Sequence, residues 1–165
     1  MVWSRILLDG IAMGAVFNLT VALLWLIYPK AFATMLPKEI KKAAPPVIKK
    51  EVITMRAILF SLYPILFAWM VISAYQADIQ GFWNLFWAGY IEMMFLNIGD
   101  LIGLDWLFKD KFKDKIMIPG TENCKAWNNS VWMKKLGFPE HLIAWPLAVC
   151  PAVGFICAGI GCLIR

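Results

Sequence analysis

Four long runs of apolar residues dominate the sequence, and the polar residues collect in the stretches between them. A helix needs about 20 mainly apolar residues to cross the hydrocarbon core of a bilayer. Runs of this length cover residues 6–28, 52–75, 82–108 and 141–163. The pattern predicts an all-α, polytopic membrane protein in which residues 1–165 form a single domain with four transmembrane helices.

Lysines concentrate in the two longer connections, residues 29–51 and 109–140, whereas the short turn at residues 76–81 has neither Lys nor Arg. Cytoplasmic loops of membrane proteins carry an excess of Lys and Arg. We therefore predict that both links are cytoplasmic and that both termini lie outside a plasma membrane, with only Arg5 and Arg165 near them. The tight turn then joins two antiparallel helices, which predicts an up-down-up-down bundle.

The composition agrees with a membrane protein. Hydrophobic residues make up 61% of the chain and charged residues 16%, against about 45–50% and 25% in soluble domains. The net charge is +5, and the basic residues responsible for it lie in the two links and not on one folded face. We therefore do not expect nucleic-acid binding. The four cysteines have no metal-ligand spacing, and no metal site is predicted.

The second link interleaves Trp127, Trp132 and Phe138 with Lys134 and Lys135. This mixture is typical of a segment that lies on the inner leaflet beside anionic lipid. We therefore expect the lipid bilayer itself, and anionic lipid at the basic links, to be partners of the protein.

Two prolines interrupt the fourth apolar run. Pro146 and Pro151 lack a backbone N–H, and in an α-helix each would free the carbonyl four residues back, on Leu142 and Leu147. The sequence therefore predicts a kinked fourth helix with free carbonyls that are either structural or available to a ligand.

Residues 99–122, about one seventh of the chain, contain a pattern that resembles small four-helix integral membrane proteins of prokaryotes. The matching segments are Gly99-Asp100, Leu104-Asp105-Trp106-Leu107 and Ile118-Pro119-Gly120-Thr121-Glu122. The family has no assigned function, so the resemblance implies a topology and a prokaryotic plasma membrane, but no activity or cofactor.

Polar side chains inside the apolar runs are the candidates for function, because each is costly in a bilayer unless it is paired, hydrated or neutralised. Glu92 is predicted near the midplane, and Asn18 of the first helix reaches a similar depth. With Asn97 they form the predicted ligand-binding or ion-binding group. The alternative is that Glu92 is a permanently protonated acid that hydrogen-bonds to another helix.

A second polar group lies nearer the cytoplasmic boundary. We predict a structural ion pair between Arg56 and Asp100, with Asp105 as the other possible partner. Asp100, Asp105 and His141 are also the candidate catalytic residues. Five residues apart on an α-helix, the two aspartates point about 140° from each other, so we do not expect both to face one substrate.

Three functions remain open on this basis. The first is binding or translocation of a proton, cation or small solute at a buried acid, which implies a homo-oligomer because four helices seldom enclose a pore. The second is a membrane-embedded enzyme that acts on a lipid or isoprenoid at the inner leaflet. The third is an accessory subunit of a larger membrane complex.

Overall fold

The computed structural model describes residues 3–164, so Arg165 of the charge pattern lies outside the described residues. Within 3–164 the chain is helical and contains no strand. Four helices are long and apolar enough to cross a membrane, and two short α-helices lie in the links together with the 3-10 helices Pro29–Thr34 and Lys125–Trp127. The α-helical elements and the four long helices are numbered together. In chain order they are α1 (Trp3–Ile27), α2 (Lys38–Ala43), α3 (Lys49–Gln76), α4 (Phe82–Lys111), α5 (Lys113–Ile116) and α6 (Asn129–Leu163).

Helix α4 occupies the centre of the helical bundle and packs closely along α1 and α6, whereas α3 has fewer neighbours. Glycine allows the α4 and α6 backbones to approach. A Cβ on Gly154 would lie 2.8 Å from the carbonyl oxygen of Phe86, and a Cβ on Gly89 would lie 2.9 Å from the Cβ of Cys157. Both distances are shorter than real Cβ contacts, so these glycines fix the position of α6 against α4.

Two of the long helices change register where the functional candidates lie. In α4 the segment Asp100–Phe108 is π-helical, and in α6 so are Met133–Gly137 and Pro139–Val149. Backbone hydrogen bonds in a π-helix join residues i and i+5, and such segments are frequent at functional sites.

Helix α6 starts at Asn129, which is earlier than the start at residue 141 predicted from the apolar run. Pro139 usually indicates a break, because it cannot donate to the preceding turn. Here it begins a new π-helical segment instead, and the turn before it contains the exposed residues Lys134 and Lys135. The predicted link 109–140 is therefore shorter, and its last part belongs to the bundle.

The two links pack together into a hydrophobic cluster with the ends of α1 and α3. Trp127 is 1% exposed and Trp132 is fully buried, so the expectation that they lie on the membrane surface is wrong. These indoles fill the space beneath the first link, while Lys134 and Lys135 remain exposed.

Glu39 of α2 holds the first link to the second. Its Oε1 accepts a hydrogen bond from the backbone N–H of Lys125 at 2.8 Å, and its Oε2 lies 3.2 Å from Lys135 Nζ. The hydrogen bond from Lys135, followed by that from Lys125, holds the pKa of the Glu39 carboxyl below its usual range. The links are therefore parts of one folded cap.

Candidate functional site

A cavity of about 100 Å³ lies at the end of the bundle where the two links pack. Its walls come from α1, α4, α6 and the first link. Apolar and aromatic side chains line it together with four titratable groups, and none of the lining residues is Lys or Arg. The titratable residues are Asp100, Asp105, Glu140 and His141.

The π-helical segment of α4 brings both aspartates to this cavity. Asp100 and Asp105 both line it, which corrects the expectation that they diverge by about 140°. In a π-helix the i→i+5 hydrogen bond places residue i+5 nearly above residue i. Because the two aspartates are five residues apart within Asp100–Phe108, the change of register aligns them.

His141 is held in one orientation at the inner wall of the cavity, where its side chain is 2% exposed. Its Nδ1 lies 2.7 Å from Asn97 Oδ1, while Asn97 Nδ2 donates to the His141 carbonyl at 2.8 Å. The second bond fixes the amide, so Nδ1 carries the hydrogen and donates it to Oδ1. Nε2 then faces Asp105, at 3.2 Å from Oδ2.

The prolines of α6 free carbonyl groups that α4 satisfies. In the i→i+5 register, the N–H missing from Pro146 would meet the carbonyl of His141, and that missing from Pro151 would meet the carbonyl of Pro146. Asn97 Nδ2 donates to the first carbonyl at 2.8 Å, and Tyr90 Oη donates to the second at 3.3 Å. The register therefore replaces the predicted free carbonyls on Leu142 and Leu147, and their replacements serve packing.

Aromatic rings form a continuous stack beside the cavity. Trp25 lies between Phe32, at a centroid distance of 5.4 Å, and Trp132, at 5.9 Å; Trp127 follows Trp132 at 5.8 Å. Lys109 is fully buried below the stack, with its Nζ 5.4 Å from the centroid of Trp132. Its Nζ donates hydrogen bonds to Asn129 Oδ1 and to the Trp127 carbonyl. The ammonium group of Lys109 is therefore bound within the cap.

The predicted ligand group of Glu92, Asn18 and Asn97 does not form one site. Glu92 is 3% exposed in the bundle interior and has no hydrogen-bond or ion-pair partner within the described chain. Asn18 Nδ2 donates to the Gly14 carbonyl of its own helix at 2.8 Å. Asn97 holds His141, so each of the three residues has a separate environment.

The predicted ion pair between Arg56 and Asp100 is wrong. Arg56 is exposed, and no ion pair joins it to Asp100 or Asp105 in the part of the chain that the structure describes. Helix α3 buries the preceding residue, Met55, and one residue further the helix has turned by about 100°. Asp105 instead faces His141, and Asp100 is left at the cavity wall.

A separate polar cluster joins α1 to α3 at the opposite end of the bundle. Asp9 accepts hydrogen bonds from Arg5 Nε at 2.7 Å, from Trp69 Nε1 at 3.0 Å and from Ser73 Oγ. Because three side chains of α1 and α3 donate hydrogen bonds to it, the Asp9 carboxylate serves to hold these two helices together.

No family model, curated protein or solved structure matches the chain. Within residues 3–164, no group of three or more His, Cys, Asp or Glu side chains is arranged to hold a metal ion.

Proposed function

We propose that the chain is a multi-pass membrane protein and that its acidic cavity binds a small organic cation. Four helices have the length and composition to cross a bilayer. Large apolar side chains such as Leu8, Phe60 and Leu147 are more than half exposed on them. Lipid is the environment in which such surfaces are stable.

The orientation rests on the two lysine-rich links. Both contribute to the same hydrophobic cluster at one end of the bundle. The positive-inside rule then makes that end cytoplasmic, with an up-down-up-down arrangement and both termini outside. This places the cavity at the inner boundary of the bilayer.

The convergence of three carboxylates on a cavity without Lys or Arg carries the proposal of a cation site. Even with His141 protonated, negative charge exceeds positive charge on the walls. Trp25, Phe32 and Trp132 belong to the same walls. Because stacking covers the ring faces of both tryptophans, these side chains offer apolar surface for the organic part of the ligand. Carboxylates combined with aromatic rings are suited to an organic ammonium ion.

The size of the cavity limits the ligand. Its volume of about 100 Å³ is smaller than that of an apolar cavity of about 150 Å³ that binds benzene. A group of about three or four heavy atoms therefore fits. Beyond Asn97 the bundle is filled by a hydrophobic cluster that includes Met13, Phe17 and Leu96, so we propose binding and not a continuous pore.

Calorimetric titration tests the function. Methylammonium chloride, added at constant ionic strength to protein in a maltoside detergent and phosphate buffer, should show saturable binding, because the carboxylates favour its charge. Methanol has the same number of heavy atoms without the charge and should show none. Absence of saturable binding by methylammonium, or an equal response to methanol, would contradict the proposal.

Thiol labelling tests the orientation. Cys124 lies in the second link, outside the long helices, and a membrane-impermeant maleimide should modify it in inside-out vesicles but not in intact spheroplasts. Burial raises the pKa of the Cys124 thiol, so mildly alkaline buffer increases its reactive thiolate. The Cys124→Ser variant is the control, and labelling of Cys124 in spheroplasts would reverse the topology.

One observation favours catalysis as a second candidate. Asn97 fixes His141 with Nε2 toward Asp105, and an oriented imidazole beside a carboxylate is an arrangement used for general acid–base chemistry. If the protein is a lipid-modifying enzyme, incubation with membrane lipids should give a product detected by mass spectrometry that His141→Asn does not form.

A further inference from the structure

The side chains around the acidic cavity offer a ligand hydrogen-bond acceptors but no free donor. Asp100 and Glu140 line the cavity, and their carboxylate oxygens have no partner within residues 3–164 and remain open to a water-sized group. Trp25 and Trp132 carry indole N–H groups, but both Nε1 atoms are buried from such a group. A ligand in the cavity therefore meets carboxylates and not indole donors.

His141 does not supply a free donor to the cavity. Its Nδ1 donates to Asn97 Oδ1 at 2.7 Å, and its Nε2 lies 3.2 Å from Asp105 Oδ2. Protonation of the imidazole would add a hydrogen at Nε2, where Asp105 forms the ion pair. In both protonation states, protein groups therefore occupy the hydrogens of the ring. Apart from the carboxylates, the other lining side chains are apolar.

The stacked tryptophans also withhold their ring faces from a ligand. Proteins that recognise quaternary ammonium ions use cages of aromatic ring faces, because these faces carry partial negative charge. Trp25 is stacked between Phe32 and Trp132, and Trp132 is stacked between Trp25 and Trp127. With their faces covered, the two tryptophans do not form such a cage. The cavity therefore favours a cation through its carboxylates alone.

Building on the proposed function, we infer that the cavity selects a primary ammonium ion and discriminates against N-methylated amines. A primary ammonium ion has three N–H groups and can donate to more than one carboxylate oxygen, whereas a trimethylammonium ion has a single N–H. A quaternary ion has none, so carboxylates that lose water to it gain no hydrogen bond in return. The same primary ammonium chemistry is available from a free alkylamine and from the headgroup of an ethanolamine lipid.

Comparison of n-propylammonium with trimethylammonium tests the inference on the unmodified protein. The two ions are isomers with equal charge, and they differ in the number of N–H groups. Loss of at least one hydrogen bond to a charged carboxylate predicts that n-propylammonium binds at least about tenfold more tightly in calorimetric titration at neutral pH. If four heavy atoms are too many for the cavity, the smaller isomers ethylammonium and dimethylammonium provide the same comparison.

Variants assign the preference to the carboxylates. Asp100→Leu and Glu140→Leu each remove acceptor oxygens, so at least one should bring the two affinities within about threefold of each other. Asp110→Leu is the control, because Asp110 is an exposed carboxylate near the same end of α4 that does not line the cavity. It should retain the tenfold preference.

Nanodiscs distinguish the two sources of the primary ammonium group. If the occupant is a lipid headgroup, n-propylammonium should bind more weakly in discs of phosphatidylethanolamine and phosphatidylcholine than in discs of phosphatidylcholine alone, because the ethanolamine headgroup competes. Equal affinities in both discs would assign the site to a free amine. Both results require n-propylammonium to exceed trimethylammonium in the discs of phosphatidylcholine.

Equal binding of the two isomers to the unmodified protein, or tighter binding of the methylated one, would overturn the inference and leave the cation site intact. Failure of methylammonium and of every larger amine to bind would overturn the proposed function itself. A tenfold preference that Asp100→Leu and Glu140→Leu both retain would also overturn the inference, because the N–H groups would then be recognised elsewhere.

Discussion

Replacing Asn97 with leucine should lower the free energy of unfolding by about 2 kcal/mol or more. Asn97 joins α4 to α6 through two hydrogen bonds, one to the His141 carbonyl and one from its Nδ1. Leucine has a similar size but leaves both groups buried and unpaired, at about 1–3 kcal/mol each. The lower end applies because unfolded helices in a membrane find other partners. Thermal or denaturant unfolding in detergent measures the change.

Tyr90→Phe is the matched control for this variant. It removes one hydrogen bond of 3.3 Å, to the other carbonyl that the prolines free, and should lower stability by about 0.5–1.5 kcal/mol. If Asn97→Leu were no less stable than Tyr90→Phe, the hydrogen bonds of Asn97 would not hold the π-helical segment, and the orientation of His141 would need another cause.

The four long helices were predictable because apolar run length alone sets the number of helices that can cross a bilayer. The structure confirms an all-helical chain with four such helices. Their exact ends were less predictable, as the early start of α6 at Asn129 illustrates. Helical continuity through Pro139 depends on a register that the apolar pattern does not encode.

Three titratable residues of the candidate site were predicted individually but not as a group. Asp100, Asp105 and His141 were all identified as candidates. In an α-helix with 3.6 residues per turn, however, the two aspartate side chains would point in different directions. A π-helical segment such as Asp100–Phe108 changes that angle. Local sequence contains no direct signal for such a register.

Direction around a helix was not predictable from the sequence. Arg56 and Asp100 were assigned to neighbouring depths, but Arg56 is exposed beside the buried Met55. Glu140 and Trp132 were missed as cavity residues because they were assigned to a link. Their proximity to Asp100 follows only from the fold of the cap.

Neutralising Asp100 should weaken methylammonium binding by about 10–150-fold, because a hydrogen bond to a charged group contributes about 1.5–3 kcal/mol. Asp100→Asn keeps the shape of the side chain. Asp100 has no ion-pair partner among the described residues, so this variant should change the fold less than Asp105→Asn, which also disturbs His141.

Glu92→Gln is the control that separates the two acidic regions of the bundle. Glu92 is buried but does not line the cavity, so its neutralisation should leave methylammonium binding within about twofold of the unmodified protein. The amide preserves the size and hydrogen-bonding capacity of the side chain.

The most direct measurement is a calorimetric titration of methylammonium into the unmodified protein, Asp100→Asn and Glu92→Gln under one set of conditions. If the acidic cavity is the cation site, Asp100→Asn loses at least about tenfold in affinity while Glu92→Gln binds like the unmodified protein. The opposite result, with binding lost in Glu92→Gln and retained in Asp100→Asn, would place the site in the bundle interior and contradict the account.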